Sequence, residues 1–290
     1  PRFGNGRLSA QPRAWFQEWF VQDDWNIIDF FTRHSASTAI RAMWYPIDPA
    51  GFNIIPGGIY RPLGLVYLYG LYNIFGMDAT GYHLFNLAIH CATALVIVSI
   101  VRTLTRDETV SWAVGFLYAM ALTIHVTPLT WVVGSYDILS SLFFFASIRL
   151  YLKGSTISVI AFVLSLLAKE TCVVLPFVLL AIRRVQRVST VKDDLAGLLP
   201  YWIVLSLYAA FRLYFSGYYS IGSSTYALSV GSHVGAHAIQ YGSWLTQALI
   251  PSGDYIVPAV SVLVIILAFR KDMPLLGGLA LWGAMSLMPV

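Results

Sequence analysis

An all-α, polytopic bundle of membrane helices is the fold class that this sequence predicts, and three observations predict it. Charged residues make up 11% of the 290 residues and hydrophobic ones 58%, with a mean hydropathy of +0.69; soluble domains carry about 25% charged residues. The apolar runs are broken by Pro, Gly and paired charges rather than by alternating polar positions, which argues for helices and against a transmembrane β-barrel. Basic residues collect between the runs: Arg102, Arg106, Arg149, Lys153, Arg183, Arg184, Arg187, Lys192, Arg270 and Lys271 account for ten of the 18 Lys and Arg. By the positive-inside rule those connectors are cytoplasmic. The net charge of +4 therefore bears on topology and points to no nucleic-acid partner. Cys91 and Cys172 both sit in apolar segments and suggest neither a disulfide framework nor a metal site.

Residues 1–60 are aromatic-rich and mixed polar, too polar to span, and "IDPAGFNIIPGG" is full of turn formers. They read as a long outer-face segment, periplasmic or lumenal, with short interfacial helices anchored by Trp15, Trp19, Trp25 and Trp44. The helical bundle then occupies residues 61–290. Residues 61–76 start a helix with Pro in its first turn, entering the membrane from the outer side. Residues 82–101 form the first long apolar segment and end at Arg102 and Arg106. Residues 109–126 return outward, and residues 136–152 descend to Arg149 and Lys153, across a connector, 127–135, without Lys or Arg.

Residues 155–182 are flanked by basic residues on both sides, so both ends should be cytoplasmic. Twenty-eight residues are too few for two full crossings of about 20 each, and enough for two short helices. Lys169 and Glu170 fall at the tip of that hairpin. Charges cost about 2.5 to 3.5 kcal/mol each at a bilayer centre, so this pair is either a mutually neutralised structural pair or a functional one. Residues 199–215 cross outward, with Arg212 near the outer end. Residues 231–250 are expected to form an outer-face or re-entrant helix, and 255–269 and 273–290 two further crossings. Pro1 is not preceded by methionine and Pro289-Val290 follow an apolar run directly, so the expectation is a section of a longer polytopic protein.

This topology gathers polar residues on the outer side. Asp23 and Asp24 lie on the outer segment, Arg61 at a helix start, His125 and Asp137 at the outer ends of a helical hairpin, Lys169 and Glu170 at the short-hairpin tip, and Arg212 at a helix end. Carboxylates beside cations at a membrane boundary suit a reaction on a lipid-linked phosphate: cations bind the phosphate and a carboxylate accepts a proton from an attacking hydroxyl. Plainer roles exist for each. Adjacent aspartates cap helices, arginines snorkel to headgroups, and His125 can serve packing. His83 and His90 read as packing or interhelical hydrogen-bond residues. His233 and His237, at i,i+4 spacing, lack a nearby third ligand. Asp193 and Asp194, beside Lys192, read as a solvated cytoplasmic face.

The order of several short motifs resembles the GT-C membrane glycosyltransferases, in the branch of the tetratricopeptide-repeat protein O-mannosyltransferases and their bacterial relatives. "FVQDDWNII" is similar to the double aspartate of that family's first outer loop, and "YRPLGLVYLYGLYNIFG" to its Arg-Pro-Leu helix start and Phe-Gly turn. "GYHLFNLAIH" resembles the next helix, "IHVTPLTWVVGSYDILSSLFF" the outer hairpin, and "LLAKETCVVLP" the Ser-Lys-Glu tip. "LIPSGDYIVP" and "LWGAMSLMPV" resemble later segments, so the likeness runs over about residues 20–290. The family's hairpin proline is displaced to Pro128, Ser135 stands where a basic residue is common, and no tetratricopeptide repeats occur.

The resemblance implies inverting transfer of a hexose, mannose being typical, from a polyprenyl-phosphate sugar at the outer or lumenal face. Carried over, Asp23 or Asp24 is the general base, Asp24 the preferred one, and Arg61, Lys169 and Arg212 contact phosphate. His125, Asp137 and Glu170 orient the acceptor or these partners. No cofactor is required by this scheme, and a divalent metal is left open. The implied partners are a lipid-linked sugar donor, a protein or glycan acceptor and membrane lipids, in a bacterial inner membrane or the endoplasmic reticulum. Two alternatives stand beside it: a non-catalytic subunit of a larger membrane assembly that keeps the fold, and an ion-coupled transporter.

Overall fold

The computed structural model describes residue 20 and residues 23–44, 60–120, 128–186 and 190–219. Among them every regular element is a helix and there is no strand. The expected segments at 231–250, 255–269 and 273–290 lie outside the described residues.

Two short helices, α1 (Asp23–Arg33) and α2 (Ala36–Trp44), come first. Both are amphipathic: Ile27, Ile28, Phe31, Ala39 and Met43 turn inward, while Trp25 and Trp44 stay half exposed. α3 (Pro62–Phe75) begins with Pro62, whose missing N–H costs nothing in a first turn and whose fixed φ suits the helix. It ends where Gly76 adopts a φ of 55°. α4 (Ala79–Thr105) is capped at its start by Asp78, whose carboxylate accepts from the Thr80 N–H at 3.0 Å. At 27 residues it is about 40 Å long. It is the one helix among the described residues that is long and apolar enough to cross a membrane; α3 is a shorter apolar helix.

α5 (Glu108–Met120) and α6 (Ser135–Leu152) pack on the two sides of α4. Of the histidines of α4, His90 Nε2 lies 3.3 Å from the Ala119 carbonyl of α5 and His83 Nδ1 3.1 Å from the Leu129 carbonyl, in the segment before α6. After α6 the chain reverses at Gly154, whose φ of 72° a Cβ-bearing residue rarely adopts.

The basic-flanked stretch then forms two short helices, α7 (Ile157–Ala168) and α8 (Leu175–Gln186), each of 12 residues, or about 18 Å. α7 is apolar apart from Ser158 and Ser165. It packs along α6, where Ser147 donates to the Ser158 carbonyl at 2.7 Å, and Tyr201 of the later helix Leu199–Tyr219 donates to the Ser158 hydroxyl at 2.7 Å. A 3-10 turn, Glu170–Val174, joins the two. Next come α9 (Val191–Gly197), opened by a Thr190–Asp193 capping box, and α10 (Leu199–Tyr219).

Two apolar clusters result. One joins α1, α2, α3, the start of α4 and the loop into α6 through Phe31, Met43, Leu68, Tyr82, Val132 and Tyr136. The other joins α6, α7, α8 and α10 through Ile148, Phe162, Leu175, Leu179 and Tyr201.

One reading of the sequence is corrected here. Asp194 is not part of a solvated face: it is fully buried and accepts from Arg183 Nε at 2.7 Å and Arg184 Nη1 at 3.0 Å. Arg183 also donates to the Tyr151 hydroxyl at 2.8 Å, and this bond together with Asp194 raises the pKa of its guanidinium further. Burial of Asp194 follows because α9 is too short to stand free and docks on α8 through this carboxylate.

Candidate functional site

The site is assembled where helix ends meet. Arg61 precedes α3, and its backbone carbonyl accepts from the Leu65 N–H while its side chain reaches away from the helix. It meets Glu170, the first residue of the 3-10 turn: Arg61 Nε donates to Oε2 at 2.9 Å and Nη2 donates to Oε1. Side-chain exposures of 14% and 10% make this a bidentate, largely desolvated pair. The guanidinium also lies 5.6 Å from the centroid of the Tyr136 ring. That ring rests on Gly64, where an added Cβ would come within 2.1 Å of Tyr136 Cδ1, so glycine is what lets α3 approach.

Lys169 ends α7 by turning extended, with φ −158° and ψ 138°. Its ammonium donates to the carboxylate of Asp137, in the first turn of α6. An acidic residue is favoured there by the helix dipole. This pair is wetter, with side-chain exposures of 20% and 44%. The adjacent Lys169 and Glu170 therefore grip two different helices and do not neutralise one another.

Arg212, on α10, completes the group. It lies close enough to Tyr208 and Glu170 for its charge to act on both, and the Tyr60 and Phe211 rings, each next to one of the two arginines, are 5.2 Å apart. Among the described residues Arg212 makes no hydrogen bond or ion pair. Among the described residues this cluster holds three cations, Arg61, Lys169 and Arg212, and two carboxylates, Asp137 and Glu170. Tyr208, one helical turn before Arg212, has a buried hydroxyl without a hydrogen-bond partner among the described residues.

Asp24 belongs to the neighbouring wall. In the first turn of α1, only 1% exposed, it accepts from the Val133 N–H at 2.8 Å and the Val132 N–H at 3.3 Å. It thus ties α1 to the loop that leads, four residues later, to Asp137. Along α6 from Asp137 runs a cleft of about 200 Å³. Ser140, Ser141 and Phe144 line one side and Thr171, Cys172 and Val174 the other.

Of the residues singled out from the sequence, Arg61, Asp137, Lys169, Glu170 and Arg212 come together, and Asp24 adjoins them through the 132–133 backbone. The expectations for His125 and for the Asp23 side chain, like those for His233 and His237, fall outside the described residues. Two members were not anticipated. Tyr136 could have been noticed as the neighbour of Asp137, and Tyr208 from its i,i+4 spacing to Arg212. Among the described residues no three His, Cys, Asp or Glu side chains lie together as a metal site. Chemically, the arrangement can hold an anion at Arg212 and along the Arg61–Glu170 and Lys169–Asp137 pairs. No family model matches this chain, and neither does any curated protein or solved structure.

Proposed function

We propose that this chain is the membrane part of a GT-C-type glycosyltransferase that takes a sugar from a polyprenyl phosphate at the outer or lumenal face of a multi-pass membrane bundle. The observation that carries the proposal is the meeting, among the described residues, of Arg61, Lys169 and Arg212, from three separate elements, around Asp137 and Glu170, with Asp24 in the neighbouring wall. Cations held in a partly desolvated pocket suit a phosphate head, because charge-assisted hydrogen bonds strengthen as water is excluded. The motif order of the sequence supplies the sugar-transfer chemistry, and α4, with the apolar α3 and α7, supports the membrane setting. Asp24 is then the base, receiving the acceptor's proton once the Val132 and Val133 amides yield one of its oxygens. The test is transfer of labelled sugar from a short polyprenyl-phosphate mannose by the purified chain and its Asp24→Asn and Asp23→Asn variants. Activity undiminished in both variants removes the base assignment.

A second reading, a non-catalytic subunit that keeps this fold, is favoured by one feature. Both oxygens of Asp24 are occupied by backbone amides and the carboxylate is nearly fully enclosed, which is how a structural tether looks. Under that reading no lipid-linked sugar is consumed, and Asp24→Asn weakens assembly with partner subunits instead.

A further inference from the structure

We propose that the Lys169–Asp137 pair is a latch opened by a phosphate-headed amphiphile, whose hydrocarbon chain enters the cleft along α6 while its head takes Lys169 from Asp137. The inference rests on reading the charge cluster as a phosphate site, and adds how that site responds to occupancy.

Two ion pairs hold the hairpin tip, and they are unequal. Arg61 and Glu170 bind by two parallel hydrogen bonds in a nearly dry setting, so Glu170 stays on α3. Lys169 and Asp137 make a single contact, with the carboxylate nearly half exposed. A half-wet single contact is the weaker of the two, and a phosphate oxygen offers the ammonium a competing charge-assisted bond. The cleft determines which phosphate arrives. Asp137 stands at its polar end, and Ser140, Ser141, Phe144 and Phe145 follow at one helical face, so polarity falls along its length. That gradient suits one anionic head and one chain.

Release has a mechanical consequence. Cys172 sits two residues beyond Glu170 on the 3-10 turn, and its thiol donates to the Ser140 carbonyl at 3.9 Å across the cleft. Only 4% of Cys172 is exposed while the tip is held to α6. Parting Lys169 from Asp137 lets the turn swing about its Glu170 anchor, widening the cleft and uncovering the thiol. It also leaves the Asp137 carboxylate free beside the occupied site.

Cys172 is therefore a built-in reporter. The full chain carrying Cys91→Ser has this one thiol, and its maleimide labelling rate is to be measured in phosphatidylcholine nanodiscs. The probes are dodecyl phosphate, inorganic phosphate and dodecyl maltoside at equal concentration. Dodecyl phosphate is expected to speed labelling saturably by about 5-fold or more, and the other two to leave it little changed. Asp137→Asn and Lys169→Gln are each expected to label fast without any probe and to respond to none, while Asp137→Glu keeps the response.

Unchanged labelling with dodecyl phosphate, equal acceleration by dodecyl maltoside, or a retained response in Lys169→Gln overturns the latch. Full acceleration by inorganic phosphate overturns the amphiphile and its chain site. A thiol that ignores dodecyl phosphate in a chain that transfers lipid-linked sugar sinks the latch alone. A responsive thiol in a chain that transfers none sinks the transferase reading alone.

Discussion

Lys169 and Glu170 are neighbours in the chain and hold opposite walls of one site: Lys169 binds Asp137 of α6, and Glu170 binds Arg61 at the start of α3. The extended backbone at Lys169, which breaks α7, is what sends the two side chains to different helices. The break places two charges where an unbroken helix would have turned them on successive faces of an apolar surface.

The drier pair is expected to be costly to break on one side. Glu170→Ala leaves Arg61 desolvated without its partner, and Arg61→Ala does the same to Glu170, so each should lower stability by about 3–5 kcal/mol. Replacing both with apolar residues, as Arg61→Met with Glu170→Leu, should recover most of that loss. Thermal unfolding of the four proteins in one detergent checks the cycle.

The wetter pair should behave differently. Asp137→Asn is expected to change stability by less than about 1 kcal/mol, because both partners retain water. Equal losses for Asp137→Asn and Glu170→Ala in the same unfolding assay would contradict the ranking by exposure.

Asp24→Asn keeps the shape of the side chain and removes its charge, weakening two charge-assisted bonds to the Val132 and Val133 amides. A loss of about 1.5–3 kcal/mol is expected. Hydrogen exchange should quicken at Val132 and Val133 and remain slow in the middle of α4.

Gly64→Ala is expected to push the Tyr136 ring away from α3, since the new methyl would overlap the ring. Overpacking of this kind costs about 1–3 kcal/mol. The ring also lies against Arg61, so under the proposed phosphate-site reading alkyl-phosphate binding should weaken along with stability. Alkyl-phosphate titration of the variant, with Gly70→Ala as a control where a Cβ meets nothing within 4 Å, separates the two effects.

Where α9 docks on α8, Asp194→Ala should leave Arg183 and Arg184 without their shared carboxylate. The expected cost is about 1.5–3 kcal/mol, read as earlier unfolding and as protease access at the α8–α9 junction.

The sequence by itself determined the helical character and most element boundaries. Apolar runs are long, basic residues and Gly or Pro punctuate them, and both signals are local: α3 starts at the Arg-Pro step, and α7 and α8 are as short as their flanks require. It also named five residues that meet, because charges within apolar runs are too costly to be scattered without use. Only the tertiary structure decided who pairs with whom. Lys169 and Glu170 looked like a pair because they adjoin, yet one extended residue redirects each to a different helix. Asp194 looked solvated beside Lys192, yet the docking of α9 on α8 encloses it between two arginines. Asp24 stood out only as half of an adjacent aspartate pair, and it is the fold that sets its carboxylate against backbone amides more than a hundred residues away. Local pattern reports the cost of burying a charge; which partner offsets that cost depends on contacts between segments distant in the chain, and these exist only once the helices have packed.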